Sequence, residues 1–305
     1  MSKAYIDKSA ISRLFPKLPE RANKGMMGRV LVVCGSYDPC GLSMCGAAYF
    51  AARAAYLSGA GVVEIFTARE NYSAVAALVP EAVFSLYGYD ESTDAVSERL
   101  VKSLRKSDSV VIGCGLGKCD MSRALVKTAL LGANSPLLID ADGLNIISDD
   151  KSLWSCLDEA QRGRTVITPH PGEMARLTDK SIGEILDLIP ETAKSFACEK
   201  GIICLLKDHN TAISDGKFVY INQSGNAGMA TAGMGDVLAG IVGALLARCE
   251  KDGENKDILT RVAASAFIHG LAGDLAAEKI GQYSLTASEL LAEMPNAIGE
   301  IFGEK

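Results

Sequence analysis

The chain has no block of lysine and arginine, and its 31 basic residues are outnumbered by 37 acidic ones, for a formal net charge of −6. That balance argues against a nucleic-acid surface. No hydrophobic run is long enough to cross a bilayer: the longest, Val237 to Ala247, is too short and too rich in glycine. The N-terminal stretch up to Gly25 lacks the apolar core of a signal peptide. A soluble, cytoplasmic protein without membrane attachment is expected. The nine cysteines include no C-x-x-C pair. Cys40/Cys45 and Cys114/Cys119 share a common spacing, but no histidine stands near either pair to complete a metal site. The cysteines read as reduced thiols, mostly buried. Any phosphate bound by so acidic a chain must be held by local backbone dipoles rather than by overall charge.

Apolar residues make up 48% of the 305 positions and charged ones only 22%, enough for a sizeable core. Short β-branched runs alternate with longer helical ones. Gly28–Cys34, Val62–Thr67, Ser109–Ile112, Leu137–Asp140, Thr165–Thr168 and Ile202–Lys207 read as buried strands. Leu42–Ser58, Ser92–Leu104, Met121–Leu131, Leu153–Ala160 and Ile189–Lys200 read as helices, as does the tail from Ile258 to Ile298. The alternation predicts an α/β fold, a mainly parallel sheet with helices on both faces. One hairpin interrupts it, where Asp215-Gly216 between TAIS and KFVYI suits a type I′ turn. With no internal repeat, low-complexity tract or linker, residues 1–305 read as a single domain.

The most informative stretch runs from Ser224 to Gly240, SGNAGMATAGMGDVLAG. Gly233 and Gly235 let the backbone approach a ligand closely. The apolar run after Asp236 starts a buried helix, and a helix N-terminus with unobstructed N–H groups is an anion site. An acid at that point sits beside a bound phosphate and can take a proton from an attacking hydroxyl. The plainer alternative is a tight loop in which Asp236 merely caps its helix. Other polar motifs follow the strands: GSYD, CGLGK, DADGLN, TPHPGE and KDHNT. Ligands of open α/β sheets bind outside the carboxyl ends of the strands, so this convergence predicts one active site along one sheet edge.

Taken in order, the blocks GRVLVVCGS, GAAYFAARAAYLSGAG, VIGCGLG, LLIDADGLN, VITPHPGEMARL, LLKDHNTAI, GNAGMATAGMGDVLAG and HGLAGDLAA resemble the NAD(P)H-hydrate dehydratases over roughly Gly25 to Ala277. The resemblance implies a ribokinase-like three-layer sandwich. It implies repair of a cofactor in which water has added across C5–C6 of the reduced nicotinamide ring. ADP or ATP, with Mg²⁺, phosphorylates the C6 hydroxyl, and phosphate then leaves to restore NADH or NADPH. Asp236 is the expected general base, with the amides of Gly233, Met234 and Gly235 cradling the transferred group. The resemblance places Ala47, Gly115, Gly117 and His170 on the hydrated dinucleotide. It places Lys207, Asp208, His209, Asn210 and Thr211, with Gly235, on the nucleotide donor.

Two departures stand out. Asp208 occupies a place where the family usually has glycine, which puts a negative charge near a phosphate site. Cys114 stands where the family usually has proline, with little consequence expected. Asp140 and Asp142 read two ways, near a Mg²⁺–phosphate cluster, or with Asp142 capping the short helix through Ile147. His269 reads as structural. A further expectation is that the chain lacks the epimerase activity of bifunctional relatives and relies on a separate epimerase. ADP is favoured as donor because stand-alone members are typically bacterial, and a homotetramer is implied by the resemblance.

Competing readings are a ribokinase-like kinase for a vitamin-precursor alcohol, a nicotinamide oxidoreductase and a non-catalytic nucleotide sensor. The first would lack the TPHPGE and DADGLN blocks. The second would need the full G-x-G-x-x-G spacing that Gly113 to Gly117 do not provide. A pure binder would have no need of Asp236.

Overall fold

A computed structural model describes residues 3–6, 8–12, 20–37, 42–249, 251 and 257–302. Asp38 of the GSYD motif and Cys40 lie outside the described residues. Ten strands form one sheet: β1 (Lys3–Tyr5), β2 (Arg29–Val33), β3 (Val62–Ala68), β4 (Val83–Tyr87), β5 (Ser109–Ile112), β6 (Leu137–Ile139), β7 (Thr165–Ile167), β8 (Ile203–Leu206), β9 (Thr211–Ser214) and β10 (Val219–Asn222). Their order is β1-β10-β9-β8-β7-β6-β5-β2-β3-β4. Pairing is parallel everywhere except on the two sides of β9.

The strand residues explain the three layers. Side chains alternate between faces along a strand. Val30 and Val32 join the core formed with the helices Cys45–Leu57, Met234–Cys249, Ile258–Ile280 and Ala287–Phe302. Leu31 and Val33 join the opposite core, formed with helices such as Asp120–Gly132 and Ile189–Lys200. Because both faces are covered, the central strands are apolar on both sides, as parallel strands generally are.

From β2 the chain winds one way through β3 and β4, and from β5 it winds the other way through β8. The gap between the carboxyl ends of β2 and β5 is therefore a topological switch point, where open α/β sheets bind ligands.

Several local expectations change. The β9–β10 connection is a four-residue loop, because Val219 pairs with Ser214. Gly216 has φ 89°, while Asp215 does not enter the positive-φ region that a type I′ turn needs at both positions. Instead the Asp215 carboxylate accepts from the amides of Lys217 and Phe218, both at 2.8 Å. Leu153–Ala160 is not one helix. A 3₁₀ segment, Lys151–Cys156, is followed by a short helix, Glu159–Arg162, because the Asp158 carboxylate caps the latter through the Gln161 amide. The helical tail breaks after Ile280 at Gly281 and resumes at Ala287. Of the eight described cysteines, none is in a disulfide. Four (Cys34, Cys114, Cys204 and Cys249) are buried, and Cys119 and Cys198 are exposed, so burial is less general than composition suggests.

Candidate active site

The polar motifs sit where the strand ends place them. The loop after β2 is tied to the loop after β5, with the Gly35 amide donating to the Cys114 carbonyl at 3.0 Å and the Ser36 amide to the Gly115 carbonyl at 2.7 Å. Gly115 has φ 57°, and a Cβ there would come within 2.8 Å of the Ala47 Cβ. Only a residue without a side chain lets this loop lie against the start of the helix Cys45–Leu57. The Gly117 amide donates to the Asp142 carboxylate at 2.8 Å. Ala47, Gly115 and Gly117 therefore gather at the switch point.

After β6 the chain makes a tight turn in which the Gly143 amide donates to the Asp140 carbonyl at 3.0 Å. Ala141 within it has φ 48° and ψ −116°, a conformation L residues rarely adopt. Asp142 is the first residue of the helix Asp142–Asp149 rather than its cap; no side chain caps that helix. The capping alternative for Asp142 is thus replaced by a contact to the β5 loop.

Asp140 is 2% exposed, and Lys207 at the end of β8 reaches across β7 to place Nζ 2.9 Å from its Oδ1. The Cys114 Sγ lies 3.7 Å from the other carboxylate oxygen. Burial pulls the Lys207 ammonium down, but Asp140 and Glu173 outweigh it and hold its pKa above the usual lysine value. A Cβ on Gly235 would stand 3.6 Å from both Asp140 Oδ2 and Lys207 Nζ, so the first turn of the helix Met234–Cys249 closes directly over this ion pair.

Asp236 is in that same turn. Burial, reinforced by the negative charge of Asp140, pushes its carboxyl up to about 7, against opposing effects of Cys114 and Lys207. The Met234, Gly235 and Asp236 amides belong to the helical turn whose N–H groups have no intrahelical acceptor. Gly233, just before them, packs against Phe50 and Ala287.

His170 caps the helix Pro171–Thr178: Nδ1 accepts from the Gly172 amide at 3.0 Å and the Glu173 amide at 3.3 Å. Glu173 returns the bond to the His170 amide at 2.8 Å. An Nδ1 used as acceptor leaves the ring neutral with its proton on Nε2. Burial, then the Lys207 and Arg176 charges, lower its pKa accordingly. Its imidazole still faces a cavity of about 980 Å³, which Lys207, Asp208, His209, Thr211 and Gly235 also line. Asn210 is at the exposed tip of the same turn and is not among the lining residues.

Other lining residues escaped the sequence reading. His269 borders the cavity, and burial pushes its pKa down to about 4. Asn226 and Gly225, on the far wall, are anchored by Asp274, whose carboxylate accepts from the Gly225 amide and the Asn226 side chain, both at 2.9 Å. Asp274 lies in the HGLAGD block, so the motif was visible, but the partner it holds is set by helix packing. Asp236 thus lies between two regions, the open cavity on the Lys207 side and the Gly115–Ala47 loops at the switch point.

This architecture is ribokinase-like. A ribokinase-like superfamily protein from Enterococcus faecalis superposes with a TM-score of 0.82 at 24% identity, covering 98% of this chain and 96% of the other. The ADP/ATP-dependent NAD(P)H-hydrate dehydratase of Bacillus subtilis, co-crystallised with ATP/Mg²⁺, superposes with a TM-score of 0.80 at 24% identity over 99% of both chains. Within that class, the family model described as NAD(P)H-hydrate dehydratase matches residues 30–296, and the chain belongs to this family. It is 30% identical to the ADP-dependent (S)-NAD(P)H-hydrate dehydratase of Listeria monocytogenes, over 98% of this chain and 97% of that protein. It is 34% identical to the bifunctional NAD(P)H-hydrate repair enzyme Nnr of Coxiella burnetii over 92% of this chain, but spans only 53% of that relative. The chain covers about half the length of the bifunctional relatives.

Proposed function

We propose that this protein dehydrates the S-epimer of hydrated NADH and NADPH, with ADP or ATP as phosphoryl donor. The observation that carries the reading is Asp236, a carboxyl with a pKa of about 7 in the first turn of a buried helix, beside the Lys207–Asp140 pair. A base with a pKa near the working pH is the most effective proton acceptor.

In this reading the donor occupies the cavity lined by Lys207, Asp208, His209 and Thr211, and the hydrated dinucleotide lies over Ala47, Gly115, Gly117 and His170. Asp236 takes the proton of the C6 hydroxyl as its oxygen bonds to the terminal phosphorus of the donor. The bond from that phosphorus to its bridging oxygen breaks, leaving AMP from ADP or ADP from ATP. The Gly235 and neighbouring helical amides, with Lys207, hold the charge that develops on the transferred group. The ring nitrogen lone pair then expels phosphate from C6, and loss of a C5 proton restores the double bond. Hydroxide is a poor leaving group, and this sequence replaces it with a good one.

We assign Mg²⁺ to the nucleotide as part of the co-substrate, held by phosphate oxygens and water, as Mg²⁺ commonly is. Among the described residues no group of three or more potential metal-ligating side chains occurs. A separate epimerase supplying the reactive epimer, a cytoplasmic setting and a homotetramer complete the proposal; among the described residues no helix is long and apolar enough to cross a membrane.

The test is turnover of hydrated NADH and NADPH with Mg²⁺ and either nucleotide, followed by the return of reduced-nicotinamide absorbance. Regeneration that is lost in Asp236→Asn, with nucleotide binding retained, supports the reaction and the base. Nucleotide binding without regeneration would turn the reading toward a kinase of another alcohol or a sensor.

A further inference from the structure

The half of the site given to the hydrated dinucleotide is rich in acid. Asp142 accepts from the Gly117 amide and Glu173 from the His170 amide, both at 2.8 Å. A dinucleotide brings a negatively charged pyrophosphate to this half, which calls for a cation. The lysine and arginine nearest Gly117 in sequence are already neutralised: Lys118 and Arg123 share Asp149, at 3.6 and 3.1 Å. Lys207 is held by Asp140.

Arg176 differs from all three. It lies in the helix Pro171–Thr178, which His170 caps. Its Nε and Nη2 both donate to the Asn145 side-chain oxygen, at 3.1 and 2.8 Å. Among the described residues it forms no salt bridge, and Nη1 has no hydrogen-bond partner. A guanidinium steered by a neutral amide is fixed in place with its whole charge left over. With Oδ1 turned to the guanidinium, the Asn145 amide nitrogen faces Asp142, 3.4 Å from Oδ1. The other Asp142 oxygen is the one that takes the Gly117 amide, so Arg176 is tied to that loop through two side chains. It also stands beside His170. A Cβ on Gly172 would come within 2.9 Å of the His170 ring and 3.9 Å of Arg176 Nη1, so both side chains border the same space.

We propose that Arg176 binds a phosphate of the hydrated dinucleotide through Nη1, beside His170. The inference rests on the proposed reaction and names the residue that recognises the charge of its substrate. Arginine suits the task where lysine would not, because a guanidinium can keep Asn145 on two nitrogens and offer the third to a phosphate oxygen.

The experiment compares Arg176→Gln and Arg176→Lys with the unaltered protein by two readouts. The first is steady-state kinetics with hydrated NADH and hydrated NADPH at saturating donor. The second is binding of NADH and NADPH themselves, which carry the same phosphates, followed by nicotinamide fluorescence. Arg176→Gln should raise the KM for the hydrated dinucleotide ~10-fold, the low end for a hydrogen bond between charged groups, with kcat and the KM for ADP little changed. Arg176→Lys, which keeps the charge, should recover part of the loss. Added salt should raise the KM of the unaltered protein more than that of Arg176→Gln, an effect that loss of the Asn145 tether alone would not give. Equal losses for both dinucleotides assign the contact to the pyrophosphate, and a loss confined to hydrated NADPH assigns it to the 2′-phosphate. An unchanged KM in folded Arg176→Gln overturns the proposal, as does failure of the unaltered protein to bind NADH and NADPH. Binding of either that weakens in Arg176→Gln, in a protein that regenerates nothing, upholds the phosphate contact and overturns the reaction.

Discussion

Lys207 and Asp140 are 67 residues apart in sequence, yet Lys207 Nζ lies 2.9 Å from Asp140 Oδ1, the two meeting across the end of the intervening strand β7. Asp140 is almost wholly buried and Lys207 only 23% exposed, so neither charge can be removed without stranding the other. Lys207→Met leaves Asp140 as an uncompensated buried charge, and breaking such a pair costs ~3 kcal/mol. The apparent melting temperature should drop by several degrees in a thermal-shift assay. The loss should be at least as large at pH 9 as at pH 6, because Lys207 stays charged over that range and also favours the ionised form of Asp236. The raised pKa of Lys207 means that its contribution is fully present below the unfolded lysine value and fades only as pH rises past the folded one. In the same variant the acid limb of the rate profile should move to higher pH, because Lys207 lowers the Asp236 carboxyl.

The Asp236 carboxyl carries the opposite stability signature. Its pKa is raised in the folded protein to about 7 from an ordinary value near 4, so the folded state binds the proton more tightly than the unfolded one. Its contribution is fully present below the unfolded value and is lost as pH rises through about 7. Asp236→Asn should therefore be more stable than the unaltered protein at pH 8, by ~2–4 kcal/mol, and nearly equal to it at pH 4. Turnover should fall ~10²- to 10⁴-fold, the usual contribution of a positioned base. Urea unfolding at the two pH values checks the first claim; a variant that is less stable at pH 8 would contradict the raised pKa.

Ala141, between Asp140 and Asp142, holds φ 48° with ψ −116°. Such positions cost of order 1–3 kcal/mol for a residue with a Cβ, and glycine is free of that strain. Ala141→Gly should stabilise the protein by ~0.5–1 kcal/mol once the greater freedom of glycine in the unfolded chain is counted. Ala141→Val, which is stiffer still, should destabilise it. The midpoints of urea unfolding for the pair check both signs.

Much of the fold is legible because its signals are local. Buried β-branched runs mark β2, β3 and β5 to β8, and the helix Ile189–Lys200 runs between the limits read from its sequence. Two strands escape. β4 is an edge strand whose residues are mostly only half buried, and β1 is three residues long, so neither shows the dense apolar run of a central strand. In the site, Lys207, Asp208, His209 and Thr211 line one cavity, and Asp236 stands in the first turn of a buried helix, the position its apolar run suggests. Their partners were not legible. The Lys207–Asp140 pair and the Asp274 anchor of Asn226 exist only because sheet order and helix packing bring distant segments together. His170 shows the other limit: the sequence marks it for a ligand, and the structure adds that its Nδ1 is already committed to a helix cap. Only Nε2 is left to face a substrate, and that atom also lies 3.4 Å from Glu173.

Asp208 offers the clearest test of what this chain's own departures do. It is exposed at the rim of the cavity, one residue past Lys207, and its backbone is fixed by reciprocal bonds with Thr211 at 3.3 and 2.9 Å. Those bonds involve the amide and carbonyl of residue 208, so glycine can take its place without losing either. What changes is one negative charge beside the proposed phosphate site. Asp208→Gly should lower the KM for ADP ~3-fold, the scale of one exposed like-charge contact, with kcat unchanged. Added salt screens exposed charges, so the advantage should shrink as ionic strength rises toward 0.5 M. ATP brings one more phosphate than ADP and should gain at least as much. Steady-state KM values for both donors at low and high salt decide the matter: an unchanged or higher KM in Asp208→Gly would mean that the carboxylate does not repel the donor, and that the usual glycine is needed there for the backbone alone.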